Sequence, residues 1–200
     1  MKKNDMNFLF EMGNIRFIDR MWRRFYNKNF ANLAEHHFRA FFIAMVIANN
    51  ELKNNPDIDT GKIAKMILLH DISESRTGDV DYLARQYTER NEELGIDDIL
   101  AETSVENEFK NLWIEYEKKE TIESKIAKDA DNLDVDFELA EQRAMGYEDP
   151  FESRLFVRDN KLYTDSAKEI WDQIQKANPH DWHLQSRNRF KSGDWSKENN

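Results

Sequence analysis

The sequence has no cysteine. This excludes a disulfide framework, a thiolate zinc site, an iron–sulfur cluster and a cysteine nucleophile, and it suits a reducing compartment without establishing one. Only 3 prolines and 6 glycines occur in 200 residues, which argues against a turn-rich all-β fold and a collagen-like chain. Basic residues are in deficit: 29 Lys and Arg stand against 39 Asp and Glu, a formal net charge of −10. Such a chain is poorly suited to grip long nucleic acid or an anionic membrane, although a local basic cluster or a bound cation could still receive a small anion. Long apolar runs are missing too. The run Phe41 to Ala48 is eight residues, nine with Ala40, and too short to cross a bilayer. The opening MKKNDMNFLFEMGN starts basic but carries no apolar stretch and no small-residue cleavage site, so the expectation is a cytoplasmic protein without a membrane partner.

Aromatic and apolar residues are plentiful. The hydrophobic fraction is 40%, with 13 Phe, 7 Met, 5 Trp and 6 Tyr, enough for a real core. The length fits a single domain, expected over 1–178 with a polar C-terminal tail over 179–200. Apolar residues recur every three or four positions along 5–26, 33–53, the stretch after Gly61, 99–118 and 122–145. That is the stripe of amphipathic helices, and it predicts an all-α helical bundle. Breaks are expected at Asn54–Asp57 and Thr77–Asp79, with Gly95 in a charged linker and Gly146 as a C-terminal cap. Leu155–Tyr163 reads as a short hairpin or a loop, and Thr164 or Asp165 as the cap of a last helix with Ile170, Trp171 and Ile174.

Five histidines are few enough to weigh singly. His70 and Asp71 end an apolar helix, where the plain alternative is a C-terminal cap with a solvated Asp. His36 and His37 open another such helix, where a core or surface role is the alternative. Asp129, Asp131 and Asp134 lie in a third, and most of these carboxylates are expected on a solvated face. Together, two imidazoles and two carboxylates from three helices could converge on one divalent cation. Such a donor set suits Mn, Fe, Co, Ni or Zn better than Ca.

The order H…HD…D, as His36, His70-Asp71 and Asp131, resembles the HD-domain metal-dependent phosphohydrolases. The strings NLAEHHFRA, HDISESRTGD, LWIEYE and KIAKDAD resemble segments of the branch that holds the YfbR-like 5′-deoxynucleotidases and HD domain-containing protein 2. The likeness covers about residues 10–145 in order and spacing. It implies a compact HD-domain helical bundle and one divalent ion (Mn, Co, Zn, Fe, Ni or Mg) held by His36, His70, Asp71 and Asp131. His37 would point about 100° away around the helix and is not counted as a ligand.

The resemblance further implies that Glu74 assists the attacking water. Independently, Glu74 lies four residues after His70, on the same face if the helix continues. Asp79 is implied to meet the sugar hydroxyl or help the leaving group, with a turn or cap role as the alternative. An Arg and a Trp are implied near the phosphate and the sugar or base, with Arg20 and Trp22 as the candidates. Trp22 also fits a core stripe with Ile18 and Phe25. The activity implied is hydrolysis of (deoxy)nucleoside 5′-monophosphates by a homodimer. Alternatives are a triphosphohydrolase using Arg23, Arg24 and Lys28, or a nucleotide-binding regulator without turnover. Trp113, Tyr116 and Trp171 are expected at the dimer interface. The segment after Asp79 lacks the branch's prolines, and His180 and His183 have no counterpart in it; their spacing allows a surface metal pair or a plain solvated role.

Overall fold

The computed structural model describes residues 1–26, 28–147 and 161–186. Its helices are α1 (Asp5–Asn14), α2 (Trp22–Phe25), α3 (Leu33–Glu51), α4 (Thr60–Leu69), α5 (Glu74–Thr77), α6 (Glu92–Leu100), α7 (Glu106–Lys118), α8 (Ile122–Ala144), α9 (Asp165–Ile174) and α10 (Asp181–Leu184). Short 3₁₀ turns cover Ile15–Phe17 and Ala84–Gln86. No sheet forms among the described residues; Asp19 and Asn32 make one isolated antiparallel bridge. The all-α bundle expected from the periodicity is what the chain adopts.

Helices start where a side chain can satisfy their free backbone N–H groups. Asn32 caps α3 in a reciprocal box with Glu35, Asp59 caps α4 through Lys62 N–H, Thr121 caps α8 through Ser124 N–H, and Thr164 caps α9 through Ala167 N–H. The long α3 and α8 pack on each other, and α4 lies across both. Ala40, Ala44 and Ala48 of α3 meet Ile63, Met66 and Ile67 of α4 and Ala127, Ala130 and Leu133 of α8, all fully buried. Small residues at this spacing let the helix axes come close, so functional groups on all three reach one point. A second cluster joins Leu69, Ile72, Ile96, Ile99, Leu100 and Trp113, with Phe8 and Met12 of α1 against it.

Three local expectations need correction. The 5–26 stripe is not one helix: α1 ends at Asn14 and Ile18 is extended. Ala31 and Ile18 carbonyls accept from Arg20 N–H and Leu33 N–H at 3.3 and 2.9 Å, so pairing with the chain before α3 replaces helical bonds. The 99–118 stripe is split between α6 and α7, with Glu102 at φ +57° in the connection. Gly95 is not in a linker but buried in α6 against Ser73. Gly146 does end α8 in the left-handed region, at φ +91°. Most of the Leu155–Tyr163 segment and the end of the 179–200 tail lie outside the described residues.

Candidate active site

His36 projects from the first turn of α3, His70 follows the last residue of α4, and Asp131 projects from the middle of α8. Four donor atoms, one each from His36, His70, Asp71 and Asp131, lie within 4.8 Å of one another. The Nε2 atoms of the two histidines are 3.2 Å apart. Asp71 Oδ2 is 3.0 Å from His70 Nε2, and Asp131 Oδ1 is 3.3 Å from His36 Nε2.

The outer atoms of these rings are already committed. His36 Nδ1 lies 2.6 Å from Asp134 Oδ2, and His70 Nδ1 lies 2.7 Å from the Ile67 carbonyl. Both partners accept only, so each Nδ1 carries the proton and each Nε2 turns a lone pair inward. Asp134 is in turn gripped by Arg39, whose Nε donates to Oδ1 at 2.5 Å. On the far side of Asp131, Oδ2 takes Lys128 Nζ at 2.6 Å and the Tyr116 hydroxyl at 3.1 Å, which leaves Oδ1 for the centre.

Two inward lone pairs and two carboxylates, buried together, repel one another unless a proton or cation sits between them. Burial works against charge on His70, yet Asp71 and Asp131 outweigh it and push its pKa up to about 10. The cluster therefore demands positive charge at its centre. Imidazole nitrogen with carboxylate oxygen, each fixed by a hydrogen-bonded partner behind it, fits a divalent transition metal.

Asp71 and Asp131 of the cluster line a cleft of about 560 Å³, with His36 and His70 buried behind them, and every sequence candidate for substrate or water handling lines it: Arg20, Trp22, Glu74 and Asp79. After His70 the chain makes a tight helical turn, α5 begins at Glu74, and Gly78 reverses direction at φ +73°, ψ 157°. Glycine takes this backbone without strain, and Asp79 returns to the cleft. Glu74 reaches the site from the start of this new helix rather than from a continuation of α4. Its Oε1 is 3.4 Å from Arg90, while its buried Oε2 has no hydrogen-bond partner among the described residues. Burial, and after it the charges of Asp71 and Asp79, push its pKa up to about 10.

Arg20, 8% exposed, sits between Asp71 Oδ2 at 3.1 Å and Asp79 Oδ2 at 3.3 Å. The same Asp79 oxygen accepts from Met21 N–H at 3.0 Å. Asp79 thus fastens the extended strap before α2 over the cleft. Trp22, 5% exposed, packs with Phe30, Val135 and Leu139 and also lines the cleft, so its core and site readings coincide. Arg23 pairs with Asp19 and the Phe30 carbonyl, and Arg24 with Asp81; neither lines the cleft.

The expected solvated face of α8 is wrong: Asp129, Asp131, Asp134, Asp136 and Glu138 are all buried. Asp129 receives Tyr163 N–H, Thr164 N–H and the Thr164 hydroxyl, each at 2.8 Å, and ties α8 to the start of α9. Sequence reasoning missed Asp134 and Arg39 behind His36, and Tyr116 and Lys128 behind Asp131. The available signals were Asp134 one turn after Asp131 and Arg39 three residues after His36. His37 is buried beside His70, its ring centroid 4.8 Å away, and contributes no donor to the cluster. His180 precedes α10 and His183 lies on it, and neither lines the cleft.

A family described as HD domain matches residues 12–177. The chain is 32% identical over 111 residues to 5′-deoxynucleotidase HDDC2 of Dictyostelium discoideum, covering 52% of this chain and 58% of that protein. It is 27% identical over 168 residues to 5′-deoxynucleotidase hdd1 of Schizosaccharomyces pombe, covering 80% of this chain and 77% of that protein. A solved structure of a conserved hypothetical protein from Pyrococcus furiosus superposes with a TM-score of 0.71 at 25% identity, covering 86% of this chain and 99% of that one. With residues 12–177 matched and the H…HD…D residues gathered at one point, the chain belongs to the HD-domain family.

Proposed function

We propose that the protein hydrolyses (deoxy)nucleoside 5′-monophosphates to nucleoside and phosphate. The carrying observation is the four-donor cluster opening into a cleft that holds a buried arginine, a buried tryptophan and an unpartnered glutamate oxygen. His36, His70, Asp71 and Asp131 would hold one divalent ion, which supplies Lewis acidity toward a phosphoryl oxygen and toward water. Arg20 binds the phosphate through the guanidinium nitrogens not spent on Asp71 and Asp79. Trp22 forms the wall for sugar or base. A divalent ion at the cluster would offset the charges of Asp71 and Asp79 that help hold the Glu74 carboxyl up, and the resulting carboxylate would orient the attacking water and take its proton through Oε2. The water oxygen would bond to phosphorus as the bond to the 5′-oxygen breaks; that oxygen takes a proton from solvent to leave as the alcohol, and Glu74 returns to solvent the proton it received from the attacking water. Asp79 holds Arg20 and Met21 in place at the edge where the sugar would lie.

The names of the two relatives support a nucleotide substrate. A triphosphohydrolase draws no support from Arg23 and Arg24, which are paired away from the cleft. A regulator without turnover would leave Glu74 Oε2 buried with no role. The deciding experiment is a screen of nucleoside mono- and triphosphates against Mn, Co, Zn and Mg. Phosphate from a monophosphate is expected; tripolyphosphate from a triphosphate, or tight binding without hydrolysis, would overturn the reading.

The homodimer remains part of this proposal, but its basis changes. Trp113 and Tyr116 are buried within the chain and cannot form the interface. The exposed apolar residues of α3, Phe38, Phe42 and Val46, supply the better surface. Among the described residues no helix is long and apolar enough to cross a membrane; a cytoplasmic location belongs to the same proposal.

A further inference from the structure

Two aromatic side chains among the described residues line the cleft, Trp22 and Tyr82, and they differ in what they can offer a ligand. Trp22 is 5% exposed and belongs to the cluster with Phe30, Val135 and Leu139, so little of its ring is open. Tyr82 is 51% exposed. A half-open ring along a cleft of charged side chains keeps apolar area in water until something flat covers it.

Tyr82 is also held. Through Oδ1 the buried Asp81 accepts from Leu83 N–H at 3.0 Å and Ala84 N–H at 2.8 Å, which fixes the turn that carries the ring. Asp81 Oδ2 takes Arg24 Nη1 at 2.6 Å, and Arg85 Nε donates to the Val80 carbonyl at 2.7 Å. From α2, Phe25 stacks on Tyr82, with ring centres 5.0 Å apart and planes 29° from parallel. The Arg24 guanidinium lies 5.4 Å from the Phe25 ring centre, so the pair is tied to α2 twice. Phe25 occupies one face of the Tyr82 ring, and no second ring among the described residues lies against it. Tyr82 stands three residues after Asp79, so their Cα atoms are at most about 11 Å apart. Asp79 pairs with Arg20 at 3.3 Å. The phosphate-binding residue and the ring are therefore separated on the scale of one nucleotide. A π-face ordered from behind and open in front is what a nucleobase stacks on.

We propose that Tyr82, backed by Phe25, is the platform for the nucleobase, and that stacking there makes the protein prefer a nucleoside monophosphate to its sugar phosphate alone. The inference rests on the nucleotide-hydrolase reading above and deepens it, leaving Trp22 to the sugar. Tyr82 belongs to the segment after Asp79 that departs from the resembling branch, so the platform is a feature of this sequence.

The test compares dAMP with 2-deoxyribose 5-phosphate on the Mn-loaded wild-type protein, Tyr82→Ala and Tyr82→Phe. The ring is exposed and outside the buried clusters, so its removal spares the fold. The wild type should show a KM about tenfold lower for dAMP than for the sugar phosphate, the scale of one base–aromatic stack. Tyr82→Ala should bring that ratio to about one, with the loss in the KM for dAMP rather than in kcat. Tyr82→Phe keeps the ring without the hydroxyl and should keep the ratio. Where either compound is not hydrolysed, calorimetric Kd values for both replace KM. Inertness of both compounds would fail the nucleotidase reading, and the ratio of Kd values would still decide the platform. A wild type that does not discriminate, a ratio that Tyr82→Ala retains, or a loss in Tyr82→Ala shared equally by the two compounds overturns the proposal, as does failure of both compounds to bind.

Discussion

Asp134 and the Ile67 carbonyl decide which nitrogen each histidine turns toward the centre, so ligation depends on residues that are not ligands. His70→Ala or Asp131→Ala should abolish metal binding, read by elemental analysis of dialysed protein; full metal occupancy in either would sink the ligand assignment. Asp134→Ala keeps all four donors but frees His36 to turn, and should weaken metal affinity about 10- to 100-fold in a chelator competition. Glu74 lies outside the donor cluster. Glu74→Ala should retain the ion and bind nucleotide, yet lose about two or more orders of magnitude in kcat. Loss of the ion instead would make Glu74 a ligand. Arg20 grips phosphate with a planar fork that lysine cannot copy. Arg20→Lys should raise KM, and Arg20→Ala should lower kcat/KM by about 2–4 kcal/mol. Wild-type kinetics in Arg20→Ala would remove it from the phosphate site.

At the scale of elements, the reversal between α5 and Asp79 turns on one glycine. Gly78→Ala would force a side chain into φ +73°, ψ 157° at a cost of about 1–3 kcal/mol. Thermal unfolding should report the loss, and a raised KM should report the displaced Asp79. The buried acidic stripe of α8 predicts a pH effect at Glu138. Burial, acting against the Ala31 N–H and Arg39 that stabilise the carboxylate, raises its pKa from 4.5 to about 7. A raised carboxyl gives stability that is full below about 4.5 and lost as pH rises through about 7. Glu138→Gln should therefore flatten the dependence of the urea midpoint on pH across that window; an unchanged slope would assign it to another group. The helices around the site were legible because their apolar spacing and caps agree: α3, α4 and α8 start at Asn32, Asp59 and Thr121 as local chemistry requires. The strap at Ile18–Met21 was not legible, since its bonds go to residues past the next helix and to Asp79, and no local pattern encodes a partner 58 residues away. The same blindness hid Asp134. An acidic run on a helix reads as solvated until the arginine and histidine that neutralise it arrive from α3.

For the whole molecule, α3 is buried on one side and carries exposed Phe38, Phe42 and Val46 on the other. Light scattering at micromolar concentration should give a dimer, and Phe42→Glu should shift it to monomer; a wild-type monomer would remove the dimer from the proposal. A further consequence follows from where the donors come from. His36 and His70 are 34 residues apart in the chain, and Asp131 lies on a third helix. An ion shared among them would join distant points of one polymer, as a covalent staple does, and stabilise the folded state by restricting the unfolded one. Hydrogen exchange should then slow on loading with Mn or Zn in α3, α4 and α8 together, while the amides of α10 exchange at the same rate with or without the ion.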